Sequence, residues 1–143
     1  MSDKLVMQNL QLQTQLLQAA RQQRALINQQ LTATFDVTDQ QAAVLEFVQD
    51  HPGRMQKDVA EMLHRRAATV SSLLKRLETG NYLIRKIPVD NTRQKVLLIT
   101  EQGRAVVAAF KQSRQVAANK MGSQLTDDEQ QLFLSLLQKL TND

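Results

Sequence analysis

The sequence predicts a mostly α-helical chain with one small β-hairpin. Three observations point there. Residues 4–33 contain no glycine or proline and repeat apolar residues at helical spacing. Two capping boxes, Thr38-Asp39-Gln40-Gln41 and Thr126-Asp127-Asp128-Glu129, open further apolar-periodic runs. Only over Tyr82–Val89 and Lys95–Thr100 does the pattern turn rich in β-branched and apolar residues, the signature of strands.

The first helix carries Leu5, Leu12, Ala19 and Leu26 every seven residues, with Leu10, Leu16, Leu17, Ala20, Ile27 and Leu31 beside them. This apolar face is too long for a small core to cover, so a partner helix is expected. The second helix starts at the Thr38 cap, turns Val44, Leu45 and Val48 inward, and ends near Asp50 before His51-Pro52-Gly53. A short third helix spans Met55 to Leu63, with Val59, Met62 and Leu63 as its apolar side. After the break His64-Arg65-Arg66, a fourth runs from Ala67 to Glu78 and buries Val70, Leu73, Leu74 and Leu77. Gly80 ends it, with Asn81 alongside. The two strands then flank a polar tip, Asp90-Asn91-Thr92-Arg93-Gln94. Thr100 caps a helix from Glu101 to about Gly122. The last helix follows the Thr126 box and is expected to bury Leu132, Phe133, Leu136, Leu137 and Leu140.

Charge is distributed unevenly over the 143 residues. The chain has 18 Lys and Arg against 14 Asp and Glu, a net of +4. Residues 51–100 hold ten bases against four acids, a net of +6, while residues 1–50 sum to −2 and residues 101–143 to zero. Glutamine is absent from 57 to 93 and frequent on either side. The basic middle therefore has its own task, and an acidic partner is expected there. Five scattered aromatics, Phe35, Phe47, Tyr82, Phe110 and Phe133, argue against base-stacking on single strands and favour a duplex.

Two short helices across a three-residue break, followed by a hairpin, make a winged helix-turn-helix lobe. With its apolar side inward, the helix after the break turns Ala68, Thr69, Ser71, Ser72 and Lys75 outward. These side chains are short enough to approach base edges in a major groove. Arg65 and Arg66 stand at that helix's N-terminus, where the dipole already favours phosphate. Lys57, Arg85 and Lys86 are expected on other phosphates. Arg93 at the tip, with Asn91 and Lys95 nearby, suits a narrow minor groove.

These residues form an ordered set. The run Val37-Thr38-x-x-Gln41-x-x-Val44-Leu45 is followed by Val59-Ala60-x-x-Leu63 and by Thr69-Val70-Ser71-x-Leu73-x-x-x-Leu77-x-x-Gly80. An Arg93-centred wing then leads to Leu98-Ile99-Thr100-x-x-Gly103. The set resembles the MarR family of transcription regulators over nearly the whole chain. The resemblance implies one MarR-type domain over 1–143. A winged helix-turn-helix DNA-binding lobe spans 35–100, and a helical dimerisation region is built from 1–34 and 101–143. It also implies a cytoplasmic homodimer that represses transcription from a pseudo-palindromic double-stranded operator. Many such proteins release the operator when a small organic effector binds between the dimer and DNA lobes. The family's wing usually reads Asp-x-Arg, whereas Asn91 takes the Asp place here. Ser72 stands where a longer basic residue is common.

Several classes are excluded. With no cysteine there is no disulfide, thiolate metal site or thiol-oxidation switch. No nucleophile elbow, glycine-rich phosphate loop or HExxH motif points to an enzyme, and no cofactor is expected. His51 and His64 have no obvious third ligand for a metal. The longest apolar run, Ala105–Phe110, is far short of the roughly 20 residues that span a bilayer, so no membrane partner is expected. The first fifteen residues lack the apolar core of a secretory signal. The rival reading is a winged helix protein-interaction adaptor that binds no DNA, discriminated by the charge on the fourth helix and the wing.

Overall fold

A computed structural model of the chain describes residues 2–87 and 95–142. Its elements are α1 (Asp3–Thr34), α2 (Asp39–Asp50), α3 (Gln56–Leu63), α4 (Ala67–Thr79), β1 (Leu83–Lys86), β2 (Val96–Ile99), α5 (Glu101–Gly122) and α6 (Asp127–Thr141). The predicted order of elements holds throughout. The strands are shorter than expected, and the tip residues Asp90 to Gln94, with Val89, lie outside the described residues.

The chain divides into two compact units, residues 28–112 and residues 1–27 with 113–143, the division falling within α1 and α5. In the first unit, Leu31, Leu45, Leu74, Leu77, Leu83 and Leu97 are essentially fully buried, together with Val44, Val48, Val59, Val70, Val106 and Val107. Each contributes about 2 kcal/mol of burial. β1 and β2 pair antiparallel, with Leu83 opposite Ile99 and Arg85 opposite Leu97. The Leu97 N–H also donates to the Arg54 carbonyl at 2.8 Å, and Met55 bridges Val96. The hairpin is thereby stitched to the segment that starts α3.

The ends of the helices follow local chemistry. Thr38 Oγ1 accepts from the Gln41 N–H at 3.2 Å, and Gln41 Oε1 accepts from the Thr38 N–H at 3.0 Å. Met55 cannot cap α3 with its side chain, so Asp58 reaches back to the Met55 N–H at 2.8 Å. Thr100 Oγ1 accepts from the Gly103 N–H at 3.0 Å and opens α5. α4 ends at Gly80, as expected. Gly80 keeps a right-handed φ of −79°, and Asn81, at φ 63°, carries the left-handed turn. The Asn81 N–H reaches the Glu78 carbonyl at 3.0 Å and the Tyr82 N–H reaches that of Leu77 at 2.9 Å, a Schellman closure. Gly80 is needed for space, because a Cβ there would lie 2.6 Å from the Tyr82 ring.

In the second unit Gln23 Nε2 donates to the Ala117 carbonyl at 3.0 Å, and Gln130 Nε2 to that of Gly122 at 2.7 Å. α6 corrects an expectation. Within the single chain it buries none of its residues, and Leu132, Phe133, Leu136 and Leu140 are exposed, with Leu137 half-buried. Its apolar stripe is real, but no element of the single chain covers it. Thr126 Oγ1 accepts from the Glu129 N–H at 3.2 Å, and Glu129 Oε1 accepts from the Thr126 N–H at 2.9 Å. The bond from the Thr126 backbone, and then that to its side chain, lowers the Glu129 pKa below the ordinary carboxylate value. A carboxylate depressed by folding adds stability above its unfolded pKa and loses it as pH falls through the folded one. The Glu129 side-chain NMR titration is accordingly expected to have a midpoint below that of a model glutamate, and Thr126→Ala to return it upward.

Candidate nucleic-acid interface

The turn between α3 and α4 sets the interface. His64 closes α3 in the left-handed region at φ 53°. Its N–H reaches the Glu61 carbonyl at 3.2 Å, and the Arg65 N–H reaches that of Ala60 at 3.1 Å. This second Schellman closure satisfies the last carbonyls of α3 and turns the chain into α4 within three residues. Histidine tolerates this conformation better than most non-glycine residues.

α4 then starts at Arg66, whose side chain makes no capping hydrogen bond. α2 and α6, by contrast, each have a threonine acceptor for a first-turn amide. The first amides of α4 therefore receive no acceptor from their cap side chain and can serve an external anion, toward which the helix dipole also points. Arg65 and Arg66 are exposed beside them. Val70, Leu74 and Leu77 are buried and Leu73 is half-buried, and this inward stripe leaves Ala68, Thr69, Ser71, Ser72 and Lys75 exposed. Lys57 on α3, Lys86 on β1 and Lys95 before β2 are exposed as well. Asn91 and Arg93 lie outside the described residues.

Arg85 differs from the free phosphate ligand that the sequence reading expects. The β alternation places it with buried Leu83 on the inner face, while Ile84 and Lys86 point outward. Its Nε donates to Glu78, and its Nη1 donates to Gln56 Oε1 at 2.8 Å. The sequence assigns Glu78 and Gln56 no role at the interface. The signal for them was the period-two alternation, which puts a cation inside and so demands an acceptor.

Two cavities complete the picture. One of about 560 Å³ borders the C-terminal half of α4, lined by Thr32, Asp36, Thr38, Gln41, Lys75 and Tyr82 among others, Ser72 included. The other, about 410 Å³, is apolar and lies within the second unit, between Leu16, Ala20, Met121, Leu125, Phe133 and Leu137.

A MarR family model matches residues 35–94. The transcriptional regulator HosA of Escherichia coli is 28% identical over 107 residues, covering 75% of this chain and 79% of HosA. A crystal structure of MarR superposes with a TM-score of 0.74 at 26% identity, over 90% of this chain and 87% of that one. The chain is thus similar to the MarR family of transcription regulators, in sequence over residues 35–94 and in fold over most of its length. The structure of Staphylococcus aureus MepR in complex with DNA superposes with a TM-score of 0.77 at 28% identity, over 90% of this chain and 94% of MepR. The matched residues contain every predicted contact except Lys95. HosA is a transcriptional regulator. Among the described residues no helix is long and apolar enough to cross a membrane.

Proposed function

We propose that this chain is a transcription regulator of the MarR type, a cytoplasmic homodimer that represses transcription by binding a pseudo-palindromic double-stranded operator. The observation that carries the reading is the outer face of α4. Thr69, Ser71, Ser72 and Lys75 are all exposed, and Arg65 and Arg66 are exposed at an N-terminus whose amides have no side-chain cap. These side chains read base edges, while Lys57, Lys86 and the two arginines hold phosphates. Arg93, with Asn91 and Lys95, takes the minor groove. MepR bound to DNA supports the same use of the fold.

Dimerisation is supported by where the apolar surface lies. Of the large apolar residues exposed among the described residues, all but Ile84 and Ile87 belong to the unit of residues 1–27 and 113–143. Such a surface is covered by a partner in a stable protein, and two-fold symmetry would set the recognition helices about 34 Å apart, one DNA turn. The cavity beside α4 supports effector control by a small organic molecule. It has the volume of a ligand site and shares Ser72 and Lys75 with the DNA face. A ligand there binds the DNA-free form better and lowers affinity by that difference.

Sedimentation equilibrium is expected to give the mass of two chains. Leu132→Asp combined with Leu136→Asp should yield monomers that no longer shift a duplex from upstream of the protein's own gene, at concentrations where the native chain does. A native monomer, or a native dimer that shifts no duplex even at low salt, would favour the adaptor reading.

A further inference from the structure

Arg85 was expected to touch DNA, yet the structure turns it inward. It sits in β1 opposite fully buried Leu97, and its side chain is only 21% exposed. The guanidinium donates from Nε to Glu78, in the last turn of α4, and from Nη1 to Gln56, the first residue of α3, at 2.8 Å. One side chain thus ties the hairpin to both helices of the helix-turn-helix. The opposite strand is fixed to the same place, by Leu97 N–H to the Arg54 carbonyl and by the Met55–Val96 bridge. A planar guanidinium with donors at fixed angles holds two acceptors in one geometry, which a lysine cannot do.

We propose that Arg85 is a positioning residue: through Glu78 and Gln56 it locks the hairpin against α3 and α4 and so sets where the wing reaches when α4 lies in the groove. The DNA part of this statement rests on the function proposed above. The lock itself does not, since it belongs to the free protein.

Substitution of the lock partner Glu78 separates this role from a phosphate contact, because the two roles predict opposite signs. Glu78→Gln removes a negative charge near the binding face. If Arg85 held a phosphate, that change would free the arginine and tighten DNA. As a positioning partner, Glu78→Gln weakens operator binding by about tenfold, the range of coupled polar pairs. Arg85→Ala weakens it similarly, and the double variant no further than Arg85→Ala alone. The salt dependence is the second readout. A lost phosphate contact lowers the log–log slope by about 0.9, whereas a lost positioning contact leaves it unchanged. In the free protein, hydrogen exchange at the Lys86 and Val96 amides is expected to speed up in Glu78→Gln while that of the α2 amides stays as in the native chain. Arg85→Lys should restore only part of each effect. Equal or tighter operator binding by Glu78→Gln, a reduced slope in Arg85→Ala, or unchanged hairpin exchange in Glu78→Gln would each overturn the proposal. If Arg85→Ala lowers the melting temperature, the isosteric Glu78→Gln decides. A native protein that binds no duplex would refute the functional reading, and the exchange experiment would still judge the lock.

Discussion

Gly103→Ala is expected to destabilise the lobe by about 3 kcal/mol, the upper part of the range for an overpacked core. The sign runs against helix propensity. In the interior of an exposed helix the same change adds about 0.5–1 kcal/mol. Gly103, however, is buried in the first turn of α5, and a Cβ there would lie 2.1 Å from the Tyr82 carbonyl oxygen and 2.7 Å from Ile99 Cγ1. The nearest obstacle is backbone, which cannot rotate aside. That backbone is held in turn, because the Thr100 N–H donates to the Tyr82 carbonyl at 3.2 Å and Thr100 Oγ1 donates to the Asn81 carbonyl at 2.6 Å. Relief therefore means moving α5 away from the strand end and opening the contact that buries Val106 and Val107. Urea unfolding with an unchanged m-value would measure the loss, and a midpoint equal to or above the native one would refute this packing.

Gly103 also shows what the sequence could and could not say. The run Thr100-x-x-Gly103 was visible as part of a resemblance, but its reason, a helix start pressed onto a carbonyl twenty-one residues earlier, exists only in three dimensions. Capping was legible because it is local: Thr38, Thr100 and Thr126 each find their acceptor geometry within three residues. The end of α4 was legible as an end but not in its detail. The sequence marks Gly80 and Asn81 without dividing the work between them: Asn81 takes the left-handed conformation and Gly80 makes room for the Tyr82 ring.

Burial was legible where one chain supplies both sides and illegible where it does not. The stripes of α2 and α4 find partners within residues 28–112, and Val44, Leu45, Val70 and Leu74 are fully covered. The stripe of α6 has the same periodicity, yet Leu132 and Leu140 stand 61% and 72% exposed. Periodicity states which face is apolar, not which chain covers it. The candidate site follows the same logic. The outward set on α4 was readable from helical spacing alone. The charge of Arg85 is visible in the sequence, whereas the strand alternation that turns it toward Glu78 and Gln56 needs the pairing register.

The largest functional effect is expected from Arg65 and Arg66. Both are exposed where α4 begins, beside amides that no cap side chain serves. Reversing both to glutamate replaces two phosphate attractions with repulsions at the positive end of a helix, and operator affinity is expected to fall by more than about a hundredfold. Neutralising each to alanine should reduce the slope of log affinity against log salt by about 0.9. The native protein, if it neutralises about 6–10 phosphates, should itself lose about a thousandfold or more between 50 and 200 mM salt. Thr69→Ala and Ser71→Ala should behave differently. Facing base edges, they carry no charge, so they should leave the slope unchanged and narrow the gap between operator and random duplex, by about 1–3 kcal/mol where a base contact is lost. Lys75 distinguishes the two jobs within one residue: a lower slope in Lys75→Ala marks a phosphate contact, and lost discrimination marks a base contact. Native-like affinity and slope in the Arg65→Glu, Arg66→Glu protein would place the interface elsewhere.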